Sequence, residues 1–138
     1  MKKLDRILKV LENQINNDTY RLLEVRKKIL EKNMYKDSLV NQLKIENNFK
    51  VENIYDLQIK SEYINFLNKK IEEVEKQLKD LHQEESKIIE SIKEKNAYKK
   101  ALEKYTIKKQ LQMEVKAQFE ESIKNSDIYN RNFNSYNS

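Results

Sequence analysis

The sequence predicts an all-α chain, a long two-helix antiparallel coiled-coil hairpin with an overhanging second helix. Three observations predict it. The 138 residues include no Gly and no Pro, the residues that supply tight turns and stop helices. Charged residues make up 37% and hydrophobic residues 38%, too little apolar surface for a thick core but enough for a narrow seam between two helices. Apolar residues also recur in alternating steps of three and four, the mark of a heptad seam.

The first helix is expected over about residues 3–46. Leu4, Leu8, Leu11, Ile15, Leu22, Val25, Ile29, Leu39 and Leu43 follow the heptad, with Asp18, Lys32 and Lys36 as polar members of the same register. These polar positions, together with Glu85 of the second helix, have two readings. They set register, as buried polar groups can, or they mark thin coiled coil where long side chains reach water.

A turn is expected at about 47–53. Asn tolerates left-handed backbone, so Asn47-Asn48 can end a helix where Gly is missing. Asn53 is placed to cap the next helix, with Asp56 near its positive end.

The second helix is expected over about 54–126. Ile64, Leu67, Ile71, Val74, Leu78, Leu81, Ile88 and Ile92 sit at the seam positions, interrupted only by Glu85. Such a repeat implies left-handed supercoiling against a partner helix. Pairing with the first helix covers residues 54–96, so about 30 residues overhang at 1.5 Å of rise per residue. The overhang still carries Tyr98, Leu102, Tyr105, Leu111, Val115, Phe119 and Ile123. An unpaired apolar stripe is a partner site or an oligomer seam. Residues 1–126 thus form one coiled coil, and residues 127–138, rich in Asn, Ser and Tyr, are expected to be a disordered tail.

Charge follows the same layout. Residues 1–46 carry a net +4, residues 47–92 a net −3 and residues 93–138 a net +4. The first two blocks suit helices lying side by side.

Catalytic chemistry finds little material. There is no Cys for a thiolate site or disulfide and no Gly-rich loop for a phosphate cradle. The single histidine, His82, follows Leu81 and so falls beside the seam, a flank position. Glu72-Glu73 and Glu84-Glu85 are adjacent pairs, which point ~100° apart on a helix and do not face each other. No catalytic, cofactor or metal residues are expected, and the chain is expected not to be an enzyme. The start is interrupted by charges, so no signal peptide is expected, and no stretch has the length of a membrane span.

The Lys-rich run 93–116, with Tyr98 and Tyr105 interleaved, admits three readings. It binds nucleic acid or an acidic membrane, it is a solvated helix, or it fits an acidic groove on a protein. It contains no Arg, which base reading favours, so a nucleic-acid partner is not expected.

Several segments stand in a suggestive order. A basic-apolar start runs from Lys3 to Leu11, and the first arm contains Tyr20-Arg21-Leu22-Leu23. After the turn come Ile54-Tyr55-Asp56-Leu57-Gln58 and Tyr63-Ile64-Asn65-Phe66-Leu67. A Lys-rich stretch then runs from Lys95 to Tyr105, and Phe119-Glu120-Glu121-Ser122-Ile123 precedes the tail. In this order of parts, over about residues 1–130, the chain resembles the flagellar export protein FliJ and its type III secretion counterparts of the YscO type. The resemblance implies a two-helix coiled coil similar to part of the γ subunit of rotary ATPases. It implies a non-enzymatic coupling and chaperone subunit, cytoplasmic and peripheral at the inner face of the membrane. Its terminal end would sit in the ring of a hexameric export ATPase, and its hairpin end would reach an FlhA-like membrane export gate. Substrate chaperones are further implied partners. Carried over by position, the ATPase-facing residues are Leu4, Ile7, Leu8, Leu102, Tyr105, Lys108, Lys109, Leu111 and Val115. The gate-facing residues are Val40, Leu43, Tyr63 and Leu67. Two alternatives stand beside this one: a stalk subunit of another rotary-type ATPase, and a structural coiled coil that oligomerises through residues 97–123.

Overall fold

A computed structural model describes residues 2–137, with side chains described as far as Arg131. It holds two helices, α1 (Lys2–Asn47) and α2 (Ile54–Asn137). The chain is 95% helical, the two helices pack against each other, and no strand is present among the described residues. The all-α helical hairpin expected from the heptads is the fold. Two compact units divide it, one of residues 12–95 and the other of residues 1–11 with 96–138.

In the unit of residues 12–95, the buried core is the heptad seam. Leu22, Val25, Ile29 and Leu39 of α1 meet Leu67, Val74, Leu78 and Ile88 of α2, and Leu43, Ile71, Leu81 and Ile92 pack against them half-buried. Burying such a side chain contributes about 1.5–3 kcal/mol. Leu67 is the most completely buried, at 1% exposure. Ile89, beside the seam, joins the same cluster.

The polar seam positions differ in burial. Asp18 is buried at 5% exposure. Lys95 donates to its carboxylate at 2.7 Å and the Ser91 hydroxyl donates at 2.9 Å, while Arg21 stands 3.6 Å away. The hydrogen bond from Lys95 holds the Asp18 carboxyl below its ordinary pKa, against the opposing effect of burial. Lys36 instead reaches outward to Glu75 at 3.3 Å. Glu85 takes Arg26 at 3.2 Å, with His82 3.7 Å away.

The turn differs from the expected one. Among the described residues none has positive φ, so Asn47-Asn48 do not provide a left-handed stop. The helix end tightens instead: the Asn48 amide bonds the carbonyls of Lys44 and Ile45 at 3.2 Å each, and the Phe49 amide bonds that of Glu46 at 3.1 Å. Lys60, nearly two turns into α2, donates to the carbonyls of Asn47 at 3.2 Å and Phe49 at 2.9 Å. An ammonium group thus meets carbonyls left over at a helix C-terminus, where positive charge is favoured. Asn53 caps α2 as expected, its side-chain oxygen accepting from the Asp56 amide at 2.8 Å.

In the second unit, Leu11 is buried and Leu4 and Leu8 are half-buried on α1, with Lys99, Leu102 and Thr106 half-buried on α2. The seam register therefore continues past residue 96, through Thr106. From Ile107 to Arg131 every side chain is exposed. The expected disordered tail is also corrected: α2 is helical through Asn137, and Ser138 lies outside the described residues. With no Gly or Pro to interrupt it, each added residue gains a backbone hydrogen bond, which the Asn- and Ser-rich composition did not suggest.

Candidate partner-binding surfaces

Surface chemistry in the second unit is set by where the heptad stops. Beyond Thr106 the seam register falls on Lys109, Met113 and Lys116. The apolar residues shift to a row of steps of four: Ile107, Leu111, Val115, Phe119 and Ile123. Leu111, Val115 and Phe119 are 55%, 64% and 64% exposed, and with Lys108, Gln112 and Lys116 they line one shallow face of α2. The face is a row of apolar side chains edged by ammonium groups. The i±4 row is the ridge that most often packs into another helix, at a crossing near −50°.

Of the residues implied to face an ATPase, Lys108, Leu111 and Val115 share this face. Ile7, Tyr105 and Lys109 are exposed, whereas Leu4, Leu8 and Leu102 are half-buried in the seam. The interleaved basic run also divides. Lys95 belongs to the buried Asp18 cluster, while Lys99 pairs with Glu103 at 4.0 Å.

A second exposed apolar surface lies around the turn, within the unit of residues 12–95. Ile54 and Tyr55 are 80% and 77% exposed, and Phe49, Leu57, Ile59 and Phe66 stand out beside them. Tyr63 and Phe66 stack with ring centroids 6.3 Å apart, and the Lys70 ammonium sits 5.8 Å over the Phe66 ring. Single exposed apolar residues are ordinary, whereas exposed aromatic side chains such as the stacked Tyr63–Phe66 pair are the kind enriched at binding hot spots.

The residues implied to face an export gate fall unevenly here. Tyr63 is on this surface, and Val40 and Leu43 are half-buried. Leu67 is fully buried in the seam and offers a partner nothing while the hairpin is closed. Sequence reasoning passed over Phe49, Ile59 and Phe66 as surface residues. Their signal was available: Ile59 and Phe66 each directly precede a seam position, Lys60 or Leu67, and so cannot lie in the seam.

Among the described residues no group of three or more His, Asp or Glu is placed to hold a metal ion, and no helix is long and apolar enough to cross a membrane. His82 is exposed beside the seam, as its flank position predicts.

These features define a two-helix antiparallel coiled-coil hairpin that presents two separate exposed apolar surfaces. No family model, curated protein or solved structure matches the chain.

Proposed function

We propose that the chain is a non-enzymatic coupling and chaperone subunit of a flagellar-type, type III protein export apparatus. It engages a hexameric export ATPase through the α2 face around Leu111 and Val115, and an FlhA-like export gate through the turn. It works in the cytoplasm, peripheral to the inner face of the membrane. The observation that carries this reading is the exposed row Leu111, Val115 and Phe119 edged by Lys108 and Lys116, a basic, apolar shaft suited to a cavity with acidic walls. The order of sequence parts supports it as well. The test is to add the purified protein to the cognate export ATPase and follow ATP hydrolysis together with ring assembly by light scattering. Substoichiometric stimulation of both is expected; no binding and no change in turnover would sink the proposal.

The same exposed row favours a second reading, a structural coiled coil that oligomerises through residues 97–123. A mass that rises with concentration in ultracentrifugation, and that Leu111→Asp returns to the monomer, selects it. Co-purification from native cells with a different rotary motor would assign the chain to that motor's stalk.

A further inference from the structure

The apolar seam by itself does not specify which helix pairs with which. Leu, Ile and Val recur every heptad on both helices, so α1 against α1 of a second copy, or α2 against α2, buries similar surface. The charges do discriminate. In the unit of residues 12–95, Asp18 meets Lys95, Arg26 meets Glu85 and Lys36 meets Glu75. Each pair joins α1 to α2 with opposite signs. In a parallel pairing of two copies, each seam charge would face its own duplicate, Asp18 against Asp18 and Lys95 against Lys95. A slip of one heptad between α1 and α2 would bring the Asp18 carboxylate to the level of Ile88 or Leu102 in place of Lys95. Of the three pairs, only that of Asp18 has a buried member, the carboxylate itself. Its carboxylate already accepts from two side chains, and neither a like-with-like pairing nor a slipped register of the seam returns both.

We propose that the Asp18–Lys95–Ser91 cluster is the element that makes pairing of the seam heterotypic and single-register, so that α1 pairs with α2 at one level and not with α1 of a second copy. A buried charge facing its like, or facing apolar side chains, is costly, whereas apolar replacements of a buried pair are often tolerated or stabilising. The cluster therefore acts on specificity, and its removal leaves a folded protein with more than one way to pair.

The absence of cysteine makes the test direct. Spin labels at the exposed positions 28 and 79, introduced as Lys28→Cys and Lys79→Cys in the full chain, report the distance between α1 and α2. The same protein labelled at position 28 alone reports contact between two copies of α1. The expected result is one narrow α1–α2 distance and no intermolecular signal in the parent. In Asp18→Leu/Lys95→Leu, a second distance or an intermolecular signal appears. Asp18→Lys/Lys95→Asp, which reverses the pair, restores the single distance. A single distance without intermolecular signal in the Leu/Leu variant overturns the proposal, because the apolar seam and the turn would then suffice. Circular dichroism of each variant confirms that the helices persist, and the reversed pair keeps the question open to decision if the Leu/Leu variant fails to fold. Failure of the reversed pair to restore the single distance likewise overturns it.

Discussion

Lys60 donates to the carbonyl oxygen of Phe49 at 2.9 Å, so a side chain from α2 closes the frayed end of α1. The same ammonium holds the Asn47 carbonyl. In a chain without glycine, this contact takes over the task that a left-handed C-terminal residue performs in many helices.

Lys60→Met keeps most of the aliphatic stem and removes the donor. Both carbonyls are open to water, so the loss is modest, about 0.5–1.5 kcal/mol. Asn53→Ala removes the opposite cap and costs about 1 kcal/mol. Urea unfolding followed by circular dichroism measures both. Asn48→Gly is expected to give little gain, because no residue of the turn has positive φ.

Asp18→Asn leaves Lys95 without its counter-charge. The Lys95 side chain is 28% exposed and can turn towards water, so the cost is roughly 1–3 kcal/mol, below that of a fully enclosed pair. The pH dependence follows from the direction of the shift. Asp18 binds its proton less readily in the fold than in the unfolded chain. Its stabilisation is therefore complete above the unfolded carboxylate pKa, about 3.9, and is lost as pH falls through the lower folded value. Thermal midpoints of the parent and Asp18→Asn, measured from pH 7 down to pH 2, should differ by a constant amount at the upper end and converge below about pH 4.

Much of this fold was legible in the sequence because one physical rule governs it. The three-four spacing of Leu22, Val25, Ile29, Leu67, Val74 and Leu78 dictates which faces are buried, and those residues are the core. Asp18 was legible as a polar member of the seam, but its partners were not. Ser91 and Lys95 lie more than seventy positions away, and periodicity within one helix carries no information on which levels of two helices meet. The turn was legible in place and not in mechanism, since the Asn-based stop is a local rule and the Lys60 contact is tertiary. The helical tail is not legible in its Asn- and Ser-rich composition, while the lack of helix breakers favours it. Ile59 and Phe66 sit next to seam positions, where a pattern search rewards the seam and ignores its neighbours.

Leu67 and Phe66 are adjacent and should separate core from surface. Leu67→Ala opens a cavity in the tightest part of the seam and is expected to cost about 2–5 kcal/mol. Phe66→Ala removes a side chain that is 53% exposed, and its stability cost is expected to stay under about 1 kcal/mol, the stacking on Tyr63 included. Chemical denaturation gives both values. If the turn is the gate-binding surface, Phe66→Ala weakens capture by an immobilised gate domain while the melting curve hardly moves. Equal losses of stability for the two variants would mean that Phe66 belongs to the core.

Leu111→Asp/Val115→Asp tests the α2 face in the same way. Both side chains are more than half exposed and neither belongs to the buried seam, so stability should change by no more than about 0.5 kcal/mol per site. The double variant also adds two negative charges between Lys108 and Lys116, which opposes entry into an acidic cavity. Stimulation of the export ATPase should fall to the level seen without the protein, at unchanged helicity. Lys108→Gln/Lys116→Gln should weaken the same stimulation and reduce its salt dependence, since screening acts on the charges and leaves the apolar row in place. If both double variants stimulate as the parent does, the face is not the ATPase contact; a parent that never stimulates removes the export reading altogether and leaves self-association to account for the row.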